Sequence, residues 1–185
     1  TNSGSNTFSD VNTKHTVSGN WLGISATIAV NKGKFYWELK NSGGGNMGAG
    51  VGKEAVNGTS ITYFSTANNW LYDQSYNYGY YRNGSGTQKG NNNTTSTYGV
   101  AVGSGDILMV ALDADNGKLF TGRNGTWFDS SDPANGTSPM YTITIGSDWW
   151  YPIFVGENNN TEINFGNGYF GTTAISSEGT NASGI

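Results

Sequence analysis

The stretch "VALDADNGKLFTGRNGTWF", residues Val110 to Phe128, carries two Asn-Gly pairs, Asn116-Gly117 and Asn124-Gly125, separated by six residues. Asn-Gly is the strongest short-range hairpin signal, because both central residues of a type I′ turn need positive φ. Two such turns around "KLFTGR" predict three short antiparallel strands, a β-meander. The run before the first turn, "DILMVALD", has little polar content and is expected as a strand buried in a sandwich core. No long window places apolar residues at i, i+3, i+4 and i+7, so no substantial helix is expected. The 29 glycines and abundant Asn, Ser and Thr are poor helix formers, whereas six Trp, eleven Tyr and eight Phe favour strands. The chain reads as all-β.

At 185 residues one domain is the economical reading, long enough to bury roughly two thirds of its unfolded surface. Only 12% of residues are charged and the net charge is −4, which argues against nucleic-acid binding, since that needs a basic face. No stretch approaches the roughly 18 apolar residues of a membrane span. No secretory signal pattern is present either, and because the chain does not begin with Met a longer parent is expected. The absence of cysteine excludes disulfides and thiol chemistry. A cysteine-free, Asn- and Gly-rich sandwich fits a virion surface or an extracellular setting, and leaves the cytosol open. Asn-x-Ser/Thr sequons recur at Asn57, Asn83, Asn92, Asn93, Asn124, Asn135, Asn159 and Asn181. They are read as a by-product of composition, because a glycan on Asn124 would crowd a tight turn.

Along the chain, Thr1 to Gly19 is polar and is expected to hold one short strand. "ISATIAV" (Ile24–Val30) alternates as a strand, and "NKG" (Asn31–Gly33) is a turn. "KFYWELK" sets Phe35, Trp37 and Leu39 on one face and Tyr36, Glu38 and Lys40 on the other, the period-2 pattern of a half-buried strand. "NSGGGN" (Asn41–Asn46) reads as a flexible loop, and "MGAGVGK" (Met47–Lys53) as a strand whose glycines admit a close neighbour. An aromatic-rich region spans Thr59 to Asn83, followed by a polar loop "GSGTQKGNNNTTST" (Gly84–Thr97) and by "YGVAV" ahead of the meander. "DSSDPANGTSP" (Asp129–Pro139) is a long loop, and "YPIFVG" (Tyr151–Gly156) and "TEINFG" (Thr161–Gly166) are the last clear strands. This divides the chain into a polar segment 1–16, a sandwich 17–170 and a flexible tail 171–185 leading towards a further domain.

The series "GKFYWEL", "GAGVGK", "YGVAVGSGDILMVALDADNGKLFTGRNGTWF", "DPANGTSPMYT", "YPIFVG" and "TEINFG" resembles, in order and spacing, the SPRY domain that forms the core of B30.2 domains. The version it resembles more closely is that of bacteriophage and other viral structural proteins, over roughly Val17 to Gly166. The resemblance implies a bent antiparallel β-sandwich, a concanavalin A-like jelly roll, with variable loops gathered at one end. Those loops bind proteins or peptides in eukaryotic relatives. In the family "ALDADNGK" is a structural hallmark. The loop between the last two strands contributes to binding there, and by position it is here Glu157, Asn158, Asn159 and Asn160. It lacks the aromatic or aliphatic anchor of those relatives, so it suits glycan hydroxyls or a solvated tip.

Little in the residues points to catalysis. His15, the single histidine, is expected on the surface, and without cysteine or a second histidine no common nucleophile–base pair or zinc site can be drawn. Asp113 and Asp115 share a strand face, and a retaining glycosidase needs two carboxyls about 5 Å apart. They stand at the mouth of the Asn116-Gly117 turn, where Asp bonds local backbone. Glu157 and Glu162 have no identifiable partner. "DADNG" fails as a calcium loop, with Gly117 at the fifth position, and "GAGVGK" is too short for a phosphate loop. Exposed Trp and Tyr stack on sugars and dominate binding hot spots. Trp70, Tyr72 and Tyr76, set among Asn, Asp, Gln and Ser, are therefore the aromatic candidates for a ligand surface. Tyr78, Gly79 and Tyr80 are assigned to structure, and of Trp149 and Trp150 one should point inward.

The expectation is a non-catalytic module of a phage or virus particle, on a tail, fibre or capsid decoration. It would have no cofactor and no metal. Its partners would be other virion proteins or copies of itself, and a host-surface glycan or protein. Alternatives are a purely architectural virion domain, an intracellular SPRY adaptor for a peptide and, least favoured, a concanavalin A-like glycan hydrolase.

Overall fold

The computed structural model describes residues 5–53, 75–84 and 86–176. In chain order the strands are β1 (Ser5–Ser9), β2 (Lys14–Ser18), β3 (Leu22–Ser25), β4 (Lys34–Asn41), β5 (Asn46–Lys53), β6 (Asn77–Asn83), β7 (Gly86–Asn91) and β8 (Thr94–Thr97). They continue with β9 (Ile107–Asp113), β10 (Lys118–Arg123), β11 (Thr126–Trp127), β12 (Tyr141–Thr142), β13 (Trp150–Glu157), β14 (Asn159–Asn164), β15 (Tyr169–Phe170) and β16 (Thr173–Ala174). The one helical element among the described residues is a 3₁₀ turn, Phe128–Ser130.

Two antiparallel sheets pack face to face as a β-sandwich. One has eight strands in the order β1-β2-β14-β4-β9-β10-β11, with β12 also on β10. The other has six, β3-β13-β5-β6-β7-β8, and β15 pairs β16 separately. From the first sheet Trp37, Leu39, Leu108, Val110, Leu112 and Leu119 enter the core, and from the second Met47, Ala49, Val51, Tyr80 and Phe154. The "KFYWELK" alternation is therefore real, with Phe35 on the core side but exposed at the rim. "DILMVALD" is a central strand, and Trp150 is buried while Trp149 is exposed.

Glycines in β5 let the second sheet close. A Cβ on Gly50 would stand 2.6 Å from Gly79 Cα and press on the Tyr78 carbonyl oxygen. Only hydrogen can occupy that point between paired backbones.

The structure revises several sequence expectations. Asn124 and Gly125 both have positive φ, 48° and 82°, and close a two-residue turn between β10 and β11 as expected. At Asn116-Gly117 only Gly117 does (64°), and the connection runs over four residues, 114–117. Asp113 forms hydrogen bonds across that loop and so favours a longer turn. The first nineteen residues hold two paired strands, not one. Within the expected loop Gly84–Thr97, residues 86–97 form a hairpin, β7–β8, turning at Asn92 and Asn93 with φ of 50° and 58°. Polar edge strands lack an apolar face, so no period betrays them. "ISATIAV" is strand only to Ser25, with a single bridge from Val30 to Trp150, and "YGVAV" is not strand.

His15 is the largest correction, because it is 1% exposed. It stands in β2 on the core side, between Phe8 of β1 and Thr161 of β14, in line with buried Asn41. Its ring stacks on Phe8 at 5.4 Å, and Nε2 is 2.8 Å from Asn6 Oδ1. Burial lowers its pKa from 6.5 to about 4. Lys14, Glu162 and Lys40 alternate to the opposite face and leave the imidazole without a counter-charge in its row.

Two measurements test this account. Gly50→Ala should lower stability by roughly 3 kcal/mol or more in denaturant titration, whereas Gly84→Ala, with open space around its Cβ, should stay within about 0.5 kcal/mol. A depressed folded-state pKa makes His15's contribution complete above pH 6.5 and lost as pH falls to about 4. The loss should be on the order of 3 kcal/mol. His15→Gln should flatten the melting temperature across that window, which lies above the range where the lowered carboxyls of Asp106 and Asp113 begin to protonate.

Candidate functional site

β4 enters at Lys34 from the Asn31–Gly33 turn and leaves at Asn41 for a corner into β5. Of the expected site residues, those among the described ones divide between these two ends.

At the Asn41 end, Glu157 to Asn160 is not a projecting loop. Glu157 closes β13, Asn159 opens β14, and Asn158 alone (φ 47°) turns the chain from one sheet to the other. The second corner, Asn41–Asn46, lies against it. Ser42 N and Gly43 N donate to Asn160 O at 2.9 and 3.2 Å, and Asn159 Nδ2 donates to Asn46 O at 3.0 Å. Asn46 Nδ2 donates to Glu157 Oε2 at 2.7 Å, and Gly19 N to Asn158 Oδ1 at 2.9 Å. Asn159 is 2% exposed. "NSGGGN" is likewise a bonded corner, because a Cβ on Gly45 would lie 2.7 Å from the Asn158 carbonyl carbon. These polar residues serve a joint between sheets.

At the Lys34 end three segments meet around an open depression of about 430 Å³. Asn31, Lys32, Asp115 and Asn116 give it polar walls, and Ala114, Ile143 and Ile145, all buried, its apolar lining. The carboxylates hold this end together. Asp113 Oδ1 accepts from Asp115 N (3.1 Å) and Asn116 N (3.0 Å), while Oδ2 accepts from Asn116 Nδ2 (2.9 Å) and lies 3.5 Å from Lys34 Nζ. Burial alone would raise the Asp113 pKa; the Asn116 donors and Lys34 outweigh it and hold the carboxyl below its usual value. Asp115 Oδ1 accepts from Gly33 N at 3.0 Å, and Ala114 N donates to Gly33 O at 2.8 Å. Ile143 N donates to Gly117 O at 2.6 Å, so close that a side chain at 117 would strike the Ile143 carbonyl.

Trp149 completes this end. The antiparallel Val30–Trp150 bridge, with bonds of 2.9 and 2.8 Å, sets Trp149 opposite Asn31 of the depression wall. Its indole is 55% exposed. Beside it Lys53 Nζ donates to Asp148 Oδ2 at 2.6 Å and stands 6.0 Å over the Trp150 ring. Tyr76 lies at the same end, half-buried, its carbonyl accepting from Lys53 N at 3.3 Å. Trp70 and Tyr72 lie outside the described residues.

Among the described residues no group of three or more His, Cys, Asp or Glu is placed to hold a metal ion, and no helix is long and apolar enough to cross a membrane. No family model matches the chain, and no curated protein does.

The Asp113 knot carries a prediction. Asp113→Ala should release the 114–117 turn and lower stability by about 2 kcal/mol. Asp113→Asn should lose less, read as the shift in the thermal midpoint.

Proposed function

We propose that this chain is a non-catalytic, SPRY-like surface module of a phage or virus particle, adhering through its Lys34-side loop end to a host-surface glycan. One observation carries the reading: a fixed polar depression with an apolar lining has an exposed Trp149 opposite its Asn31 wall. Aromatic faces stack on the C–H faces of sugar rings, and amides and charged side chains serve the hydroxyls. Walls held by Asp113 and Asp115 need little ordering when a ligand arrives. The non-catalytic part of the reading is supported by the occupancy of Asp113. With Asp115 N, both Asn116 donors and Lys34 around it, this carboxylate is spent on the turn. The SPRY-like part rests on the motif series, whose "KFYWELK" and "DILMVALD" form the paired central strands β4 and β9.

The test is a host-surface glycan panel probed with the 185-residue chain. The expected result is specific binding that Trp149→Ala weakens by about tenfold or more with the melting temperature kept. Silence of the unmodified chain across the panel would turn the reading towards a purely architectural virion domain.

A further inference from the structure

The outer face of the eight-stranded sheet carries aromatic side chains that the core does not use. Trp37 and Leu39 point into the core, so Tyr36 and Glu38 between and beside them point outward. The register sets Ala111 and Phe120 beside Tyr36, and Met109 and Gly122 beside Glu38. Trp127 stands across from Gly122, and its ring meets Tyr36 edge-on, centroids 6.2 Å apart at 74°. Phe120 and Met109, on the same side of the sheet, are both buried and give the pair a firm base. Tyr36 itself is 49% exposed.

Tyr36 and Glu38 present acceptors on this face, and the Trp127 indole N–H a donor. Tyr36 Oη donates its only proton to Glu38 Oε1 at 2.5 Å, which leaves the phenol oxygen and the carboxylate as acceptors. Of the two cations on this face of the strand, Lys34 is shared with Asp113 at 3.5 Å, and Lys40 stands across from Glu162. Two acceptors, one of them the Glu38 carboxylate, beside aromatic rings and the Trp127 N–H fit a ligand with a C–H face and several hydroxyls, and the carboxylate disfavours an acidic one.

We propose that Tyr36, Trp127 and Glu38 form a second ligand site, separate from the loop-end depression, that binds one ring of a neutral pyranose. The sugar's C–H face lies on the Tyr36 ring with the near-perpendicular Trp127 ring beside it, and adjacent hydroxyls donate to Glu38 and the Tyr36 oxygen. Partial burial, and next the Glu38 hydrogen bond and charge, push the Tyr36 pKa far above its ordinary value, so the phenol keeps its proton towards Glu38.

The experiment titrates the full chain with methyl glycosides of glucose, galactose, mannose and N-acetylglucosamine, with glucuronate as the acidic control. The readout is the Trp127 indole N–H resonance. The expected result is a saturable shift with at least one neutral sugar and none with glucuronate. Tyr36→Ala should abolish it, and Glu38→Gln should weaken binding about tenfold. Tyr36→Phe should keep part of it, and Trp149→Ala should leave it intact. Absence of a shift with every neutral sugar, an equal shift with glucuronate, or a shift that survives Tyr36→Ala would overturn the proposal. A response lost only in Trp149→Ala would assign binding to the loop end and overturn it too. A sugar-free shift that grows with protein concentration would give the face to a second copy of the chain.

Discussion

Asp113 joins the last residue of β9 to almost everything at its end of the sandwich. Its carboxylate gathers two backbone N–H groups and the Asn116 amide into one turn, and faces Lys34 across the strand pair. With that turn set, Ala114 and Asp115 both reach Gly33, and Gly117 presents its carbonyl to Ile143. Segments from three distant parts of the chain are thereby held in one arrangement. A hydrogen bond to a buried charged acceptor is stronger than a neutral one, and removing its centre would leave several donors unpaired together. The depression exists because this knot is closed.

The opposite end is built on a different economy. There the two corners between the sheets satisfy each other through asparagine amides and glycine backbones, with Asn41 buried at the middle. Asn41 Nδ2 reaches Val102 O at 3.2 Å, and its Oδ1 accepts from Gly44 N at 2.8 Å. Neutral amides both donate and accept and so tolerate full burial, while the Glu157 carboxylate and the Arg82 guanidinium, donating to Gly44 O and Gly45 O at 3.3 and 3.2 Å, add charged partners.

Legibility in the sequence tracked apolar alternation. β4, β9 and the Asn124-Gly125 turn stand where the pattern put them, because each is fixed by its own side-chain order or by a backbone need for positive φ. β1, β7 and β8 were hidden, since strands of Ser, Thr, Asn and Gln carry no hydrophobic period and are recognised only by their partners. The burial of His15 and of Asn159 is hidden for a related reason. Their burial is decided by Phe8 and by Gly45 and Asn46, and Asn159 lies more than a hundred residues from the latter pair. The loop-end site was half visible. "DADNGK" stood out as a turn and the Trp149-Trp150 pair as one inward and one outward ring, but only the Val30–Trp150 bridge joins them.

The two surfaces singled out here are coupled through β4. Gly33, whose N–H and carbonyl anchor the 114–117 turn, precedes Tyr36 by three residues, a rise of roughly 10 Å. Lys34 lies between them and pairs with the same Asp113 that closes the depression. From Lys34 to Lys40 β4 is paired with β9, and from Glu38 to Asn41 with β14 as well, so its far half is held on both sides. Trp149 precedes β13 of the six-stranded sheet and Tyr36 stands on the outer side of the eight-stranded one, so each aromatic face would meet a sugar ring on its own.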